Sequence, residues 1–258
     1  MSGAVRLDRD GAVATVTLSN PGKLNAIDAA MWRQLEEGFT ALDQASDVRC
    51  IILTGEGKAF AAGGDLAEFR DARADIDSAL SYHEQVGRAL DAIAVCRHPV
   101  VARISGPCVG GGLEIAAACD LRIAGESAKF GAPINKLGFS MYPGEMAGLL
   151  KLAGPAVVKE ILLEGRLLSA GEAYDKGLLT RVVADATLDE EIAATAQRIV
   201  SGAPLIAGWH KLWIARLLNG RPLTDAEKRA SFAFLATADY QEGLTAFLEK
   251  RPPRFTGQ

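Results

Sequence analysis

Short strand-like runs alternate with longer helical runs along most of this chain, and no other feature constrains the fold as strongly. Valine, isoleucine, leucine and threonine concentrate in three short runs, at 13–18, 50–53 and 100–104. Between these runs, apolar residues recur at helical spacing, first after the N-cap candidate Asp28 and again from Val86 to Ile93. Strands that alternate with helices in this way predict an α/β fold with parallel strand pairing.

The C-terminal part of the chain has a different pattern. Beyond about Leu188 the strand signal ends, and the apolar residues follow helical spacing. A chain of 258 residues, 49% of them hydrophobic, can bury one large core and carry a small appended unit. We therefore expect a core over residues 1–195 and a helical region over residues 196–258.

Charge and cysteine content exclude several classes of function. The 28 Lys and Arg residues nearly balance the 32 Asp and Glu residues, and no block of one sign occurs, so nucleic acid and membrane surfaces are poor candidates as partners. No signal peptide or membrane span is apparent, which predicts a soluble, cytoplasmic protein. The four cysteines stand singly and the three histidines lack ligand spacing, which predicts buried thiols and no metal site.

Two glycine-rich turns, at 58–66 and 105–114, each follow a predicted buried strand. Bare backbone lets a ligand approach main-chain N–H groups, and the second turn opens a helix whose first N–H groups are unpaired. These turns are therefore candidates for binding an oxyanion. Nucleotide-binding motifs do not fit, because Ile115 and Ile52 stand where a dinucleotide fingerprint and a phosphate loop require glycine.

One alternative concerns Cys108. The stretch from Gly106 to Gly110 has the spacing of a hydrolase nucleophile elbow with cysteine in place of serine. A cysteine hydrolase needs a histidine downstream, and the only candidate, His210, lies in a predicted helix. A buried structural thiol is the competing interpretation of Cys108.

Motifs along nearly the whole chain resemble those of the enoyl-CoA hydratase/isomerase (crotonase) superfamily. Each motif is weak alone, but their number and order carry the resemblance. They are NPGKLNA at 20–26, AAGGDL at 61–66, GGGLE at 110–114, CDLRIA at 119–124, FG at 130–131, GRLLSA at 165–170, AYDKGLL at 173–179 and EGLTAFLEKR at 242–251.

The resemblance implies a fold, a ligand and an assembly. The fold would be a spiral of β-β-α turns with a C-terminal helical region, commonly assembled as a homotrimer or homohexamer. The ligand would be a small-molecule acyl-CoA thioester, with no cofactor beyond the coenzyme A of the substrate and no metal. By motif position, the N–H groups of Gly64 and Gly111 would bind the thioester oxygen. The remaining positions along the CoA path would be Lys23, Leu24, Ala62, Asp65 and Leu66.

Glu114 is the leading candidate for the catalytic acid or base. It lies one helical turn after Gly111, so its side chain can share the face of the oxyanion donor. By resemblance, it matches one of the two catalytic glutamates of the family's hydratases. Asp65, in contrast, is better interpreted as a helix N-cap than as a catalytic acid.

The second hydratase glutamate is missing, because Ile134 follows the proline where the family's hydratases carry it. The next loop is longer than usual, and Glu145 within it either replaces the lost acid or caps a helix predicted to begin at Met146. Tyr142 is a weaker candidate acid. We therefore predict weak hydration relative to isomerisation, unless Glu145 folds back into the pocket. A non-catalytic thioester-binding paralogue stays open as a further alternative.

Overall fold

The structure is a computed structural model that describes residues 3–258, and a six-stranded sheet forms its centre. The first two strands pair antiparallel, and every other pair in this sheet is parallel. In spatial order the strands are β1 (Ala4–Asp10), β2 (Val13–Ser19), β3 (Cys50–Gly55), β4 (Val100–Ile104), β6 (Leu121–Gly125) and β9 (Arg181–Val183).

A second sheet of three very short strands lies beside the first. It consists of β5 (Pro107–Val109), β7 (Lys129–Gly131) and β8 (Leu168–Ser169), with β7 in the centre. After β4 the chain passes directly into β5, and after β6 it passes into β7, so successive turns add one strand to each sheet. This arrangement is the spiral of β-β-α turns that the sequence motifs predict.

Within residues 3–258, ten α-helices connect and cover the sheets. They are α1 (Ala29–Gln44), α2 (Phe69–Ala72), α3 (Ile76–Val95), α4 (Gly111–Ala118), α5 (Pro143–Glu164), α6 (Ala170–Asp175), α7 (Leu188–Val200), α8 (Pro204–Leu217), α9 (Asp225–Ala230) and α10 (Ala238–Leu248). Across residues 3–258, none of the helices is long and apolar enough to cross a membrane.

The sequence signals for α1 have clear structural counterparts. The Asp28 carboxylate accepts a hydrogen bond of 2.8 Å from the N–H of Met31, which satisfies one of the free donors at the helix start. The apolar residues at helical spacing, Met31, Leu35 and Phe39, are all fully buried. The predicted N-cap and buried face of α1 are both confirmed.

Both faces of the large sheet are covered, as parallel strands require. The main core packs α1 and α3 against side chains such as Val16 and Leu53. A smaller cluster on the other face joins Val101 and Ile123 to Ile192 of α7. The boundary at residue 195 that the sequence suggests between the core and the helical region therefore falls inside α7.

Most predicted elements are confirmed, but the predicted start of α5 is wrong. Strands β2, β3 and β4 and helices α3 and α4 occupy the predicted segments, and the chain beyond Leu188 is helical. Helix α5 begins at Pro143 rather than Met146, because proline is well suited to a first helical position. As a result, Glu145 lies inside the first turn of α5.

Candidate active site

A cavity with a volume of about 120 Å³ opens between the two glycine-rich turns and helices α3, α4 and α5. It is lined by apolar and aromatic side chains with only a few ionisable groups among them, which is the usual composition of a small-molecule site. The ionisable side chains are Arg73, Tyr82, His83, Glu114, Tyr142 and Glu145.

The two glycine-rich turns lie against each other at one side of this cavity. Gly63 has a φ of 107°, a conformation that side-chain-bearing residues rarely adopt. At Gly112, a Cβ atom would lie 2.5 Å from the carbonyl oxygen of Ala61, so a larger residue would push the turns apart. Glycine is therefore needed both for the shape of the first turn and for its contact with the second.

The backbone N–H groups of Gly64 and Gly111 are the candidate oxyanion donors, and both residues line the cavity. Among residues 3–258, neither N–H donates a hydrogen bond. A Cβ built on Gly111 would lie 3.6 Å from the Gly64 nitrogen, which shows how close the two residues are. The structure thus brings together two unpaired donors at one place in the cavity wall.

Glu114 lies in the first turn of α4 and is buried, although its side chain borders the cavity. Burial, together with the neighbouring Glu145 charge, raises the pKa of this carboxyl group to about 8, while Arg73 opposes the shift. Glu114 is therefore largely protonated at neutral pH, and it can donate a proton to a bound ligand.

Glu145 also lines the cavity, and it does not cap α5. The N-cap position is Tyr142, and no side chain caps this helix. Instead, the Glu145 carboxylate lies 2.5 Å from Nδ1 of His83 on α3. The two side chains are only 7% and 12% exposed, so the pair is held within the cavity wall. Glu145 therefore lies in the pocket. This is the arrangement under which the prediction of weak hydration does not apply.

The sequence does not predict Trp32, Tyr82 and His83 as site residues, although all three line the cavity. His83 stacks on the Tyr142 ring with 5.0 Å between centroids, and the Tyr82 hydroxyl accepts a hydrogen bond of 3.2 Å from Trp32 Nε1. A signal for His83 was present, because it lies three residues before Val86 on the apolar face of α3. Ile134, at the position of the missing glutamate, lines the cavity as an apolar group.

The predicted CoA-path residues do not all lie in the cavity. Ala62 and Leu66 line it, whereas Lys23 and Asp65 line a neighbouring surface cleft and Leu24 lines another hollow. The Lys23 ammonium lies 2.5 Å from the Asp65 carboxylate. These positions are therefore distributed over three hollows rather than forming one continuous pocket.

The prediction that Asp65 caps a helix is wrong. Helix α2 begins at Phe69 with Glu68 as its N-cap. The Asp65 side chain instead accepts a hydrogen bond of 3.1 Å from the N–H of Ala67 and pairs with Lys23. The chain forms a short turn before the helix starts, and Asp65 stabilises that turn.

The cysteine hydrolase alternative is contradicted by the position of Cys108. This residue lies in β5 with 0% exposure and does not line the cavity. Burial raises its thiol pKa well above the ordinary value, which suppresses the nucleophilic thiolate. His210 is exposed on α8, whereas Cys108 is fully buried. Among residues 3–258, no group of three or more His, Cys, Asp or Glu side chains is placed to hold a metal ion.

The fold and the cavity define an α/β protein whose cavity brings two unpaired backbone donors together with two buried glutamates. A family model described as "Enoyl-CoA hydratase/isomerase" matches residues 8–258, and the chain belongs to this family.

Individual relatives agree with that assignment. A probable enoyl-CoA hydratase of Mycobacterium bovis is 35% identical over 98% of this chain and 97% of its own length. A protein of Syntrophomonas wolfei named crotonyl-CoA hydratase is 33% identical over 96% of both chains. The crystal structure of an enoyl-CoA hydratase/carnithine racemase from Magnetospirillum magneticum superposes with a TM-score of 0.97 at 48% identity, covering 98% of this chain and 96% of the other.

Proposed function

We propose that the protein adds water to the double bond of a 2-enoyl-CoA thioester, using Glu114 and Glu145 as its two carboxylates. The observation that carries this proposal is that both glutamates line the same cavity as the unpaired N–H groups of Gly64 and Gly111. Family membership supports the thioester as ligand, and the name of the Syntrophomonas wolfei relative supports a short acyl chain.

The two glycine N–H groups stabilise the charge that develops on the thioester oxygen. When a nucleophile adds to the β-carbon, electrons move through the conjugated system onto this oxygen and form an enolate. Fixed donors stabilise that charge without reorganising, and each such donor contributes about 3 kcal/mol in comparable oxyanion holes.

The two carboxyl groups divide the proton transfers between them. Glu145, paired with His83, orients a water molecule and accepts one of its protons as the oxygen attacks the β-carbon. Glu114 begins protonated and gives its proton to the α-carbon of the enolate. Proton exchange between the glutamates through bulk water then restores the starting state. Ile134 takes no part, because an aliphatic side chain cannot transfer protons.

The coenzyme A part of the substrate extends from the cavity past the glycine turns. Ala62 and Leu66 lie at the cavity, and Lys23, Leu24 and Asp65 lie in the adjoining surface hollows. Lys23 is the side chain suited to a CoA phosphate, although it must exchange its contact with Asp65. We also infer a homotrimer or homohexamer in the cytoplasm, in keeping with the family resemblance.

Calorimetric titration tests the choice of ligand. We expect crotonyl-CoA to bind at least about tenfold more tightly than crotonic acid, because the CoA moiety adds contacts outside the cavity. Equal binding of the thioester and the free acid, or no binding of either, would contradict the proposal.

The reaction type is tested with enoyl-CoA and acyl-CoA thioesters in deuterated water, followed by mass spectrometry. Hydration places one deuterium at the α-carbon and a hydroxyl group at the β-carbon, whereas isomerisation moves the double bond without adding oxygen. Glu145→Gln should lower hydration strongly and leave α-proton exchange in place. Undiminished hydration in this variant would remove Glu145 from the mechanism.

A further inference from the structure

Arg73 lines the cavity and is the charged side chain that the proposed reaction does not use. It directly follows α2, and its Nε atom is buried without a hydrogen-bond partner among residues 3–258. Buried N–H donors in folded proteins are nearly always paired. The position therefore suits an acceptor that the described part of the chain does not supply.

The other half-buried arginines of the described chain show how unusual this is. Each of them donates hydrogen bonds to carboxylate or carbonyl oxygens. They are Arg49, Arg103, Arg122, Arg166, Arg181 and Arg216. Arg73 alone in this group has no oxygen partner within residues 3–258, so its free donors are a property of the site and not of arginines in this protein generally.

Aromatic rings hold the Arg73 guanidinium in place. Its central carbon lies 3.7 Å from the Phe69 ring centroid, 4.6 Å from that of Phe139 and 5.8 Å from that of Tyr82. Stacking on ring faces fixes the guanidinium plane and leaves its N–H groups available to an acceptor in that plane. Because the Arg73 guanidinium already stacks on these rings, it would repel a positively charged acyl group.

The two glutamates of the cavity act on Arg73 only through their charge and form no ion pair with it. Within residues 3–258, no carboxylate lies at ion-pair distance from it, and Glu145 is engaged by His83 instead. A positive charge in an apolar cavity wall favours an anionic ligand group, since the charge attracts it and the surrounding rings exclude water.

Arg73 is also close to the proposed thioester position. The Phe69 ring separates them: its Cζ atom would lie 2.8 Å from a Cβ built on Gly64, and the Arg73 guanidinium stacks on the same ring. Gly64 and Arg73 are thus both next to the Phe69 ring, which makes a short acyl chain the appropriate length to test.

We propose that Arg73 binds a carboxylate at the far end of a short acyl chain, so that the substrate is the CoA thioester of an unsaturated dicarboxylic acid. This inference rests on the proposed function, because it assumes that a thioester occupies the cavity. A planar guanidinium can donate two parallel hydrogen bonds to such a carboxylate, which gives both affinity and orientation.

Two five-carbon substrates test the inference as a matched pair: glutaconyl-CoA, which ends in a carboxylate, and 2-pentenoyl-CoA, which ends in a methyl group. We expect kcat/KM for glutaconyl-CoA to exceed that for 2-pentenoyl-CoA by at least about tenfold, because a site built around a polar group rejects the analogue that lacks it. Arg73→Leu should reverse this preference through a rise in KM for glutaconyl-CoA. Arg73→Lys should keep part of the preference for glutaconyl-CoA.

Arg70→Leu is the matched control, because Arg70 is exposed on α2, the helix that Arg73 follows, and lies outside the cavity. This variant should keep the substrate preference of the unmodified protein. A preference for 2-pentenoyl-CoA in the unmodified protein, or an equal loss for both substrates in Arg73→Leu, would overturn the inference. If neither thioester is turned over, the proposed function fails, and the relative calorimetric affinity of the two thioesters still decides whether Arg73 binds a carboxylate.

Discussion

Glu114 is the side chain on which the proposed proton transfer to the α-carbon depends most directly. Glu114→Gln preserves the shape of the residue but removes its ionisable proton, so we expect turnover to fall about 10²–10⁴-fold while thioester binding changes little. Steady-state hydration assays and calorimetry measure the two effects separately. Glu84→Gln, on the exposed side of α3, should keep full activity. An active Glu114→Gln variant would assign the proton to another group.

The raised pKa of Glu114 also predicts how stability depends on pH. Between its ordinary value of 4.5 and its value of about 8 in the folded protein, the folded state holds a proton that the unfolded state has released. Rising pH across this window therefore favours unfolding. Glu114→Gln lacks this penalty, so it should gain stability relative to the unmodified protein as pH rises from 5 to 8. Urea unfolding at both pH values measures the difference, and a constant difference would show that the carboxyl group is not buried as described.

At the scale of elements, the contact between α3 and α5 holds the second carboxylate in the cavity. His83→Phe keeps a ring against Tyr142 but removes the hydrogen bond to Glu145. We expect hydration to fall at least about tenfold, with less effect on the α-proton exchange that Glu114 performs. Mass spectrometry in deuterated water separates the two reactions.

His210→Phe is the control for this experiment, because His210 is exposed on α8 and far along the chain from the cavity residues. It should change neither reaction. A parallel decline of hydration and exchange in His83→Phe would mean that His83 maintains the cavity as a whole and does not act through Glu145.

Elements with a strong local pattern were predictable from the sequence, and those defined by tertiary contacts were not. Helix α1 has both an N-cap and a periodic apolar face, so its start and its buried face are predictable from the sequence. The strands of the small sheet contain only two or three residues, too few for any periodicity, and the sequence predicts β5 as part of a turn. These strands exist because successive turns of the spiral place them side by side.

The candidate site likewise contains residues that a local pattern predicts and residues that only tertiary contacts bring into place. Glu114 was predictable because its distance from Gly111 fixes a shared helix face. Arg73 was not, because it follows a four-residue helix without an apolar pattern, and only the folded chain brings it onto Phe69 and Phe139. Whether Glu145 caps a helix or lines the cavity likewise depends on the position of α3, which the local sequence does not reveal.

At the scale of the whole molecule, the C-terminal helices present much apolar surface. Phe232, Leu244 and Phe247 are exposed, although an isolated soluble chain gains nothing from placing such residues in water. The aromatic residues at 209, 213 and 234 are half-buried, so the aromatic content of this region does not form an internal core. Contact with further copies of the chain would cover this surface, as in the predicted homotrimer or homohexamer.

Light scattering at micromolar concentration tests this assembly, and we expect a mass three or six times that of one chain. Phe247→Glu should shift the protein toward smaller species, because it places a charge where an 83%-exposed phenyl ring would otherwise be covered by a neighbouring chain. Val95→Glu is the matched control, since Val95 is 77% exposed at the end of α3, outside the C-terminal helices, and its replacement should leave the mass unchanged. A monomeric mass for the unmodified protein would rule the assembly out, and an unchanged assembly in Phe247→Glu would place the interface on a different surface.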